Sequence, residues 1–117
     1  MTKNLGRRKL SVTASHRIAM LRNMATSLFQ HEKVETTLAK AKELASFSER
    51  LITVAKQADL TARRDAARDI KDEIVLKKLF DVLVPRYQDR HGGYTKIFKT
   101  GSRVGDNAKM AIIKLIA

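Results

Sequence analysis

The sequence predicts a two-layer α/β domain of the α+β type, a small three-stranded sheet packed on helices in the order α-β-α-α-α-β-β. Three observations predict it. Apolar residues recur at helical spacing in the stretches that follow Thr13, Thr37 and Asp72. Three short β-prone runs stand outside those stretches: Glu32 to Thr37, Tyr94 to Thr100 and Met110 to Ile116. So few strands cannot bury both faces against one another, so helices must cover one side of the sheet.

Each element has its own signal. Thr13 or Ser15 is placed to cap a first helix, whose apolar face is Ile18, Leu21, Ala25, Leu28 and Phe29. Thr36 or Thr37 ends the first strand and caps a second helix, Leu38 to about Gln57. Ala41, Leu44, Ser48, Leu51, Ile52 and Ala55 mark its buried side. Asp59 to Asp69 is rich in Ala and Arg and reads as a short, mostly exposed helix. Asp72 or a neighbour starts the next, with Ile74, Leu76, Leu79, Phe80 and Leu83 inward. Pro85, the only proline, lies near its end and disfavours continuation beyond one further loose turn. Gly92 and Gly93 break the chain before a hairpin whose loop runs from Gly101 to Ala108. Residues 13–117 therefore read as one domain. Residues 1–12 lack any period and read as a basic arm: either a solvated tail or a segment that orders on nucleic acid.

Charge placement points to the partner. The chain of 117 residues carries a formal net charge of +12. Residues 1–24 hold six Lys and Arg and no acid, and residues 91–117 hold five against one. The middle of the chain is nearly balanced, with four of each sign in residues 25–55 and nine basic against seven acidic in residues 56–90. Charge spread for solubility would not concentrate at the ends, whereas a face that binds a polyanion would, and the favoured polyanion is nucleic acid. With no Cys, disulfides and thiolate metal sites are excluded. The longest apolar runs are about four residues, too short for a membrane helix. The N-terminal stretch has no apolar core of the secretory type, and a cytoplasmic location is expected.

Catalytic chemistry finds little support. His16, His31 and His91 lie in different segments without metal-ligand spacing, and Asp106 among Gly and Asn reads as a turn-maker. No nucleophile, acid–base pair, metal cluster or nucleotide-gripping loop stands out, so neither enzyme activity, nor a cofactor, nor a small-molecule substrate is expected. The candidate RNA-binding residues fall in three groups. Lys3, Arg7, Arg8 and Lys9 lie on the arm; His16, Arg17, Arg22 and Asn23 on the first helix; Lys96, Lys99, Arg103 and Lys109 on the hairpin and its loop. His16 and Arg17 in a first helical turn oppose the macrodipole, a cost that an external anion offsets. Arg103 lies between Gly101 and Gly105, placed either to grip a phosphate or to pair with Asp106. With two Tyr, four Phe and no Trp, recognition by backbone and shape is favoured over a stacking platform.

Several motifs also carry a family resemblance. Ser15-His16-Arg17-x-Ala19-Met20-Leu21-Arg22-Asn23-Met24, Glu35-Thr36-Thr37-Leu38-x-Lys40-Ala41-Lys42-Glu43-Leu44, Lys78-Leu79-Phe80 with Pro85-Arg86-Tyr87, and Gly92-Gly93-Tyr94-Thr95-Lys96-Ile97 occur in order. The hairpin continues as Gly101-x-Arg103-x-Gly105-Asp106-x-Ala108-x-Met110-Ala111-x-Ile113. Together they resemble the seventeenth protein of the bacterial large ribosomal subunit. The resemblance implies a non-catalytic structural role, bound to large-subunit ribosomal RNA and neighbouring ribosomal proteins, in the same two-layer fold. Thr2-Lys3-Asn4 and Ser11-Val12-Thr13 depart from the pattern usual for that family. A basic regulator that associates with DNA or RNA outside the ribosome is the competing reading.

Overall fold

The structure, a computed structural model, describes residues 13–117. The predicted order of elements is observed: α1 (Ala14–His31), β1 (Lys33–Thr37), α2 (Leu38–Ala55), α3 (Leu60–Asp69), α4 (Glu73–Lys78), β2 (Thr95–Ser102) and β3 (Lys109–Leu115). Helix α4 passes into a π-helical segment, Leu79–Leu83, and a last short turn, α5 (Val84–Arg86).

Side chains start the helices where the sequence places them. Thr13 Oγ1 accepts the N–H of His16 (3.3 Å), and Thr37 Oγ1 accepts that of Lys40 (3.4 Å). Asp59 accepts from Ala62 at 2.7 Å, and Asp72 from Ile74 and Val75 at 2.9 and 3.3 Å. Each bond satisfies a donor that the first turn would otherwise leave without a partner. Pro85 lies near the end of this helical stretch, which stops at Arg86. It follows the π segment, where the Val84 N–H bonds back five residues to the Leu79 carbonyl. Widening the turn there accommodates a residue that has no N–H to give.

The sheet is antiparallel in the order β1-β3-β2, so the last strand of the chain is its centre. Its rows alternate between faces. Val34, Ile113 and Ile97 form one row, turned towards the helices, and Lys33, Lys114 and Lys96 form the next, turned away. Ala111, Ile113 and Leu115 are buried beneath α2, which packs on all three strands, whereas Lys114 is exposed. Helices thus cover one face and leave the other open.

The core joins Ala25, Leu28 and Phe29 of α1 to Ala41, Leu44, Leu51, Ile52 and Ala55 of α2, and to Leu79, Leu83, Tyr87, Tyr94 and Ile113. The predicted stripe on α2 is buried in full, Ser48 included, its Oγ donating to the Leu44 carbonyl at 2.7 Å. Three expectations fail. Ile74 is 82% exposed, because the first turn of α4 projects beyond the core and Val75 turns inward instead. Ile18 is 41% exposed, because it lies at the rim of a groove between α1 and α2. Glu32, expected in the first strand, instead ends α1 at a left-handed φ of 62°.

Candidate nucleic-acid interface

Helix α1 divides its predicted residues. His16 and Asn23 are exposed, and neither lines the groove between the helices. Arg17 and Arg22 do, in an open groove of about 920 Å³. Arg50 from α2 and Arg68 from α3 join them there, with Glu43, Glu49 and Asp69 as acidic neighbours. Arg22 is also structural: its Nε donates to Asp69 Oδ1 at 2.8 Å and ties α1 to α3. Arg50 and Arg68 escaped the sequence reading. The signal for Arg50 was present, since Glu43, Ser46, Arg50 and Thr53 recur three and four residues apart on one side of α2 and all line this groove. For Arg68 no local signal exists, because its place depends on how α3 packs.

The hairpin positions the other described cations. Strands β2 and β3 pair from Thr95 opposite Leu115 to Ser102 opposite Lys109, with a bulge between Lys99 and Gly101. Gly101 takes φ 114° there, a left-handed value that an L side chain resists. The ribbon is therefore longer than expected, and the loop shrinks to residues 103–108. Arg103 N–H donates to the Ala108 carbonyl at 2.7 Å, and Asn107 N–H to the Arg103 carbonyl at 2.9 Å, which closes the tip. The guanidinium of Arg103 forks onto Asp106, with Nε 3.1 Å from Oδ1 and Nη2 2.6 Å from Oδ2. The pairing weighed as the alternative for Arg103 is thus present. Hydrogen bonds from Arg103 and then from the Ala108 N–H bring the Asp106 carboxyl down to about 2. The fork leaves the Nη1 donors directed to solvent on a half-exposed side chain.

Lys96, Lys99 and Lys109 do not converge on that tip. Lys96 stands on the open face of the sheet opposite Lys114. Lys99 pairs with Ala111, on the alternate face, and is exposed on the edge strand of the sheet. Lys109 borders a depression of about 360 Å³ with Lys42 and the start of α2. Lys42 is a second cation that sequence order concealed. Lys3, Arg7, Arg8 and Lys9 lie outside the described residues. Among the described residues no cluster of three or more His, Cys, Asp or Glu could hold a metal, and His16, His31 and His91 are all exposed and apart.

The described candidates are therefore spread over several separate cationic surfaces. A family model described as ribosomal protein L17 matches residues 20–116. The chain belongs to the ribosomal protein L17 family. Its resemblance extends over nearly the whole length. It is 53% identical over 116 residues to the large ribosomal subunit protein bL17 of Endomicrobium trichonymphae, covering 99% of both chains. It is 52% identical to the protein of that name from Trichlorobacter lovleyi, of which it covers 94%. The counterpart from Geobacter metallireducens is longer: 53% identity spans 99% of this chain and 65% of that one. The span matched by the family model takes in α1 from Met20 onward, the β1–α2 junction and the hairpin. No helix among the described residues is long and apolar enough to cross a membrane.

Proposed function

We propose that this L17-family chain is a structural, non-enzymatic constituent of the large ribosomal subunit, acting in the cytoplasm within the ribosome. It binds folded large-subunit ribosomal RNA and touches neighbouring ribosomal proteins. The observation that carries the reading is the full-length identity of about half with proteins named as large-subunit components. The charge pattern supports the RNA part. Ten of the twelve surplus positive charges lie in residues 1–24 and 91–117, on the arm, α1 and the hairpin. Lysine and arginine neutralise phosphates and release counterions, and this sets affinity without reading sequence. The proposed contacts are Lys3, Arg7, Arg8 and Lys9 of the arm, His16, Arg17, Arg22 and Asn23 of α1, and Lys96, Lys99, Arg103 and Lys109 of the hairpin.

Co-sedimentation tests the reading. The protein should be recovered stoichiometrically with large subunits after a high-salt wash. Recovery in the ribosome-free fraction would favour a regulator outside the ribosome and overturn it. Binding to isolated large-subunit RNA should weaken steeply with salt if about six or more phosphates are neutralised. An affinity that barely changes between low and moderate salt would count against phosphate neutralisation.

A further inference from the structure

The open face of the sheet has an arrangement that the element order alone does not reveal. Lys33, Lys114 and Lys96 stand side by side in one cross-strand row, one from each strand. At roughly 4.8 Å between strands, the row spans about 10 Å. All three are exposed, and among the described residues none of them forms an ion pair. Like charges placed directly opposite one another repel, so the row is a feature that folding alone does not favour. The next row on the same face is Glu35, Ile112 and Phe98. Phe98 is 43% exposed, while Phe29 and Phe80 are buried and Phe47 is half-buried. Lys96 Nζ lies 5.4 Å and Lys114 Nζ 5.9 Å from the centre of its ring.

We propose that this face, with Phe98 as its platform and Lys33, Lys96 and Lys114 as its phosphate row, stacks an unpaired nucleotide of RNA. The proposal rests on the RNA-binding reading above and adds a mode to it. An aromatic ring offers a base a π-face, and the lysines that lie over the ring in the free protein can turn to the phosphates on either side of that base. Charge decides between occupants. An apolar protein surface laid on Phe98 and Ile112 would strip water from three ammonium groups and offer them nothing. A polyanion answers all three, against the single carboxylate of Glu35 on this face. The small number of aromatic residues argued against stacking from the sequence; the exposed position of this one ring on a cationic sheet argues for it.

The test uses the full chain and two RNA hairpins with a common stem, one fully paired and one with a single 2-aminopurine bulge. The wild-type protein should bind the bulged RNA more tightly and quench its fluorescence. Phe98→Ala should lose roughly 5- to 150-fold of that affinity, the usual alanine effect for one stacked base. Phe98→Leu keeps an apolar side chain without a π-face and should lose both the preference and the quenching, whereas Phe98→Tyr should keep them. Lys96→Gln with Lys114→Gln should flatten the salt dependence. Circular dichroism checks that each variant is folded. If the wild type and folded Phe98→Leu protein bind both RNAs alike, the stacking proposal is overturned while the RNA-binding reading stands. If the wild type binds neither these hairpins nor large-subunit RNA, the reading beneath it falls as well. If Phe98→Leu binds RNA normally but no longer enters large subunits, the face docks a protein and the proposal is wrong.

Discussion

Arg86 forks onto Glu32 across 54 residues of chain, with Nη1 2.5 Å from Oε1 and Nη2 3.3 Å from Oε2. Lys78 adds a third contact, its Nζ 3.1 Å from Oε2. Glu32 also ends α1, and its carbonyl accepts the Leu115 N–H at 3.0 Å. One residue thus joins the first helix, the last turn of the long helical stretch and the central strand. Through it α1 and the hairpin share a fixed base.

That arrangement predicts a pH dependence. The hydrogen bond from Arg86 holds the Glu32 carboxyl below its ordinary value of 4.5, with Lys78 helping and partial burial opposing. A carboxyl lowered in the folded state contributes stability that is present above its unfolded value and lost as pH falls through its folded value. Both side chains are about a third exposed, so solvent screening limits the pair to about 1 kcal/mol or less. Glu32→Gln should therefore unfold at slightly lower urea than wild type at pH 7, and the gap should close as pH falls from the carboxyl's ordinary value of 4.5 through its lower folded value. A gap of constant size from pH 7 to pH 3 would show that Glu32 acts through its backbone conformation and not its charge.

A second prediction concerns the arm. Among the described residues the core is assembled from positions between Ala25 and Leu115, and the cap of α1 is Thr13. Deleting residues 1–12 should leave the melting temperature of the RNA-free protein nearly unchanged. It should weaken binding to large-subunit RNA and reduce its salt dependence, because Lys3, Arg7, Arg8 and Lys9 go with it. A large fall in melting temperature would place the arm in the folded domain instead.

Much of the fold was legible because its signals are local. The stripe on α2 repeats over five turns, and threonine and aspartate caps announce the helix starts. Periodicity failed at Ile74, where a helix extends beyond what it packs against, since spacing gives a face but not its cover. The site was legible only in part for the same reason. Arg22 meets Asp69 across 47 residues, and Lys33 joins Lys96 only because β3 lies between their strands. Such neighbours are set by tertiary packing and strand order, which no local window contains. The place of Arg68 in the groove and the lysine row thus appear only once the chain is folded.

The last prediction concerns Arg103. Its pairing with Asp106 does not remove it as an RNA contact; it fixes where the guanidinium points. Both carboxylate oxygens are engaged, and Asp106 also accepts the Ala108 N–H at 3.2 Å, so the carboxylate holds the loop and the arginine together. The remaining donors face solvent at the end of a ribbon, where they can take a phosphate oxygen in a geometry that lysine only partly copies. Arg103→Ala should leave stability nearly unchanged, as for most exposed substitutions. It should weaken binding to large-subunit RNA more than Lys71→Ala does, Lys71 being an exposed cation between α3 and α4. Lys42 is no control, because it borders the same depression as Lys109. Asp106→Asn separates orientation from charge. Removing a negative charge would strengthen binding if charge alone governed; loss of the fork should weaken it if Asp106 aims the guanidinium, and the two-oxygen geometry predicts the weakening. Equal affinities for the Arg103→Ala and Lys71→Ala proteins would sink the claim that the hairpin tip grips RNA.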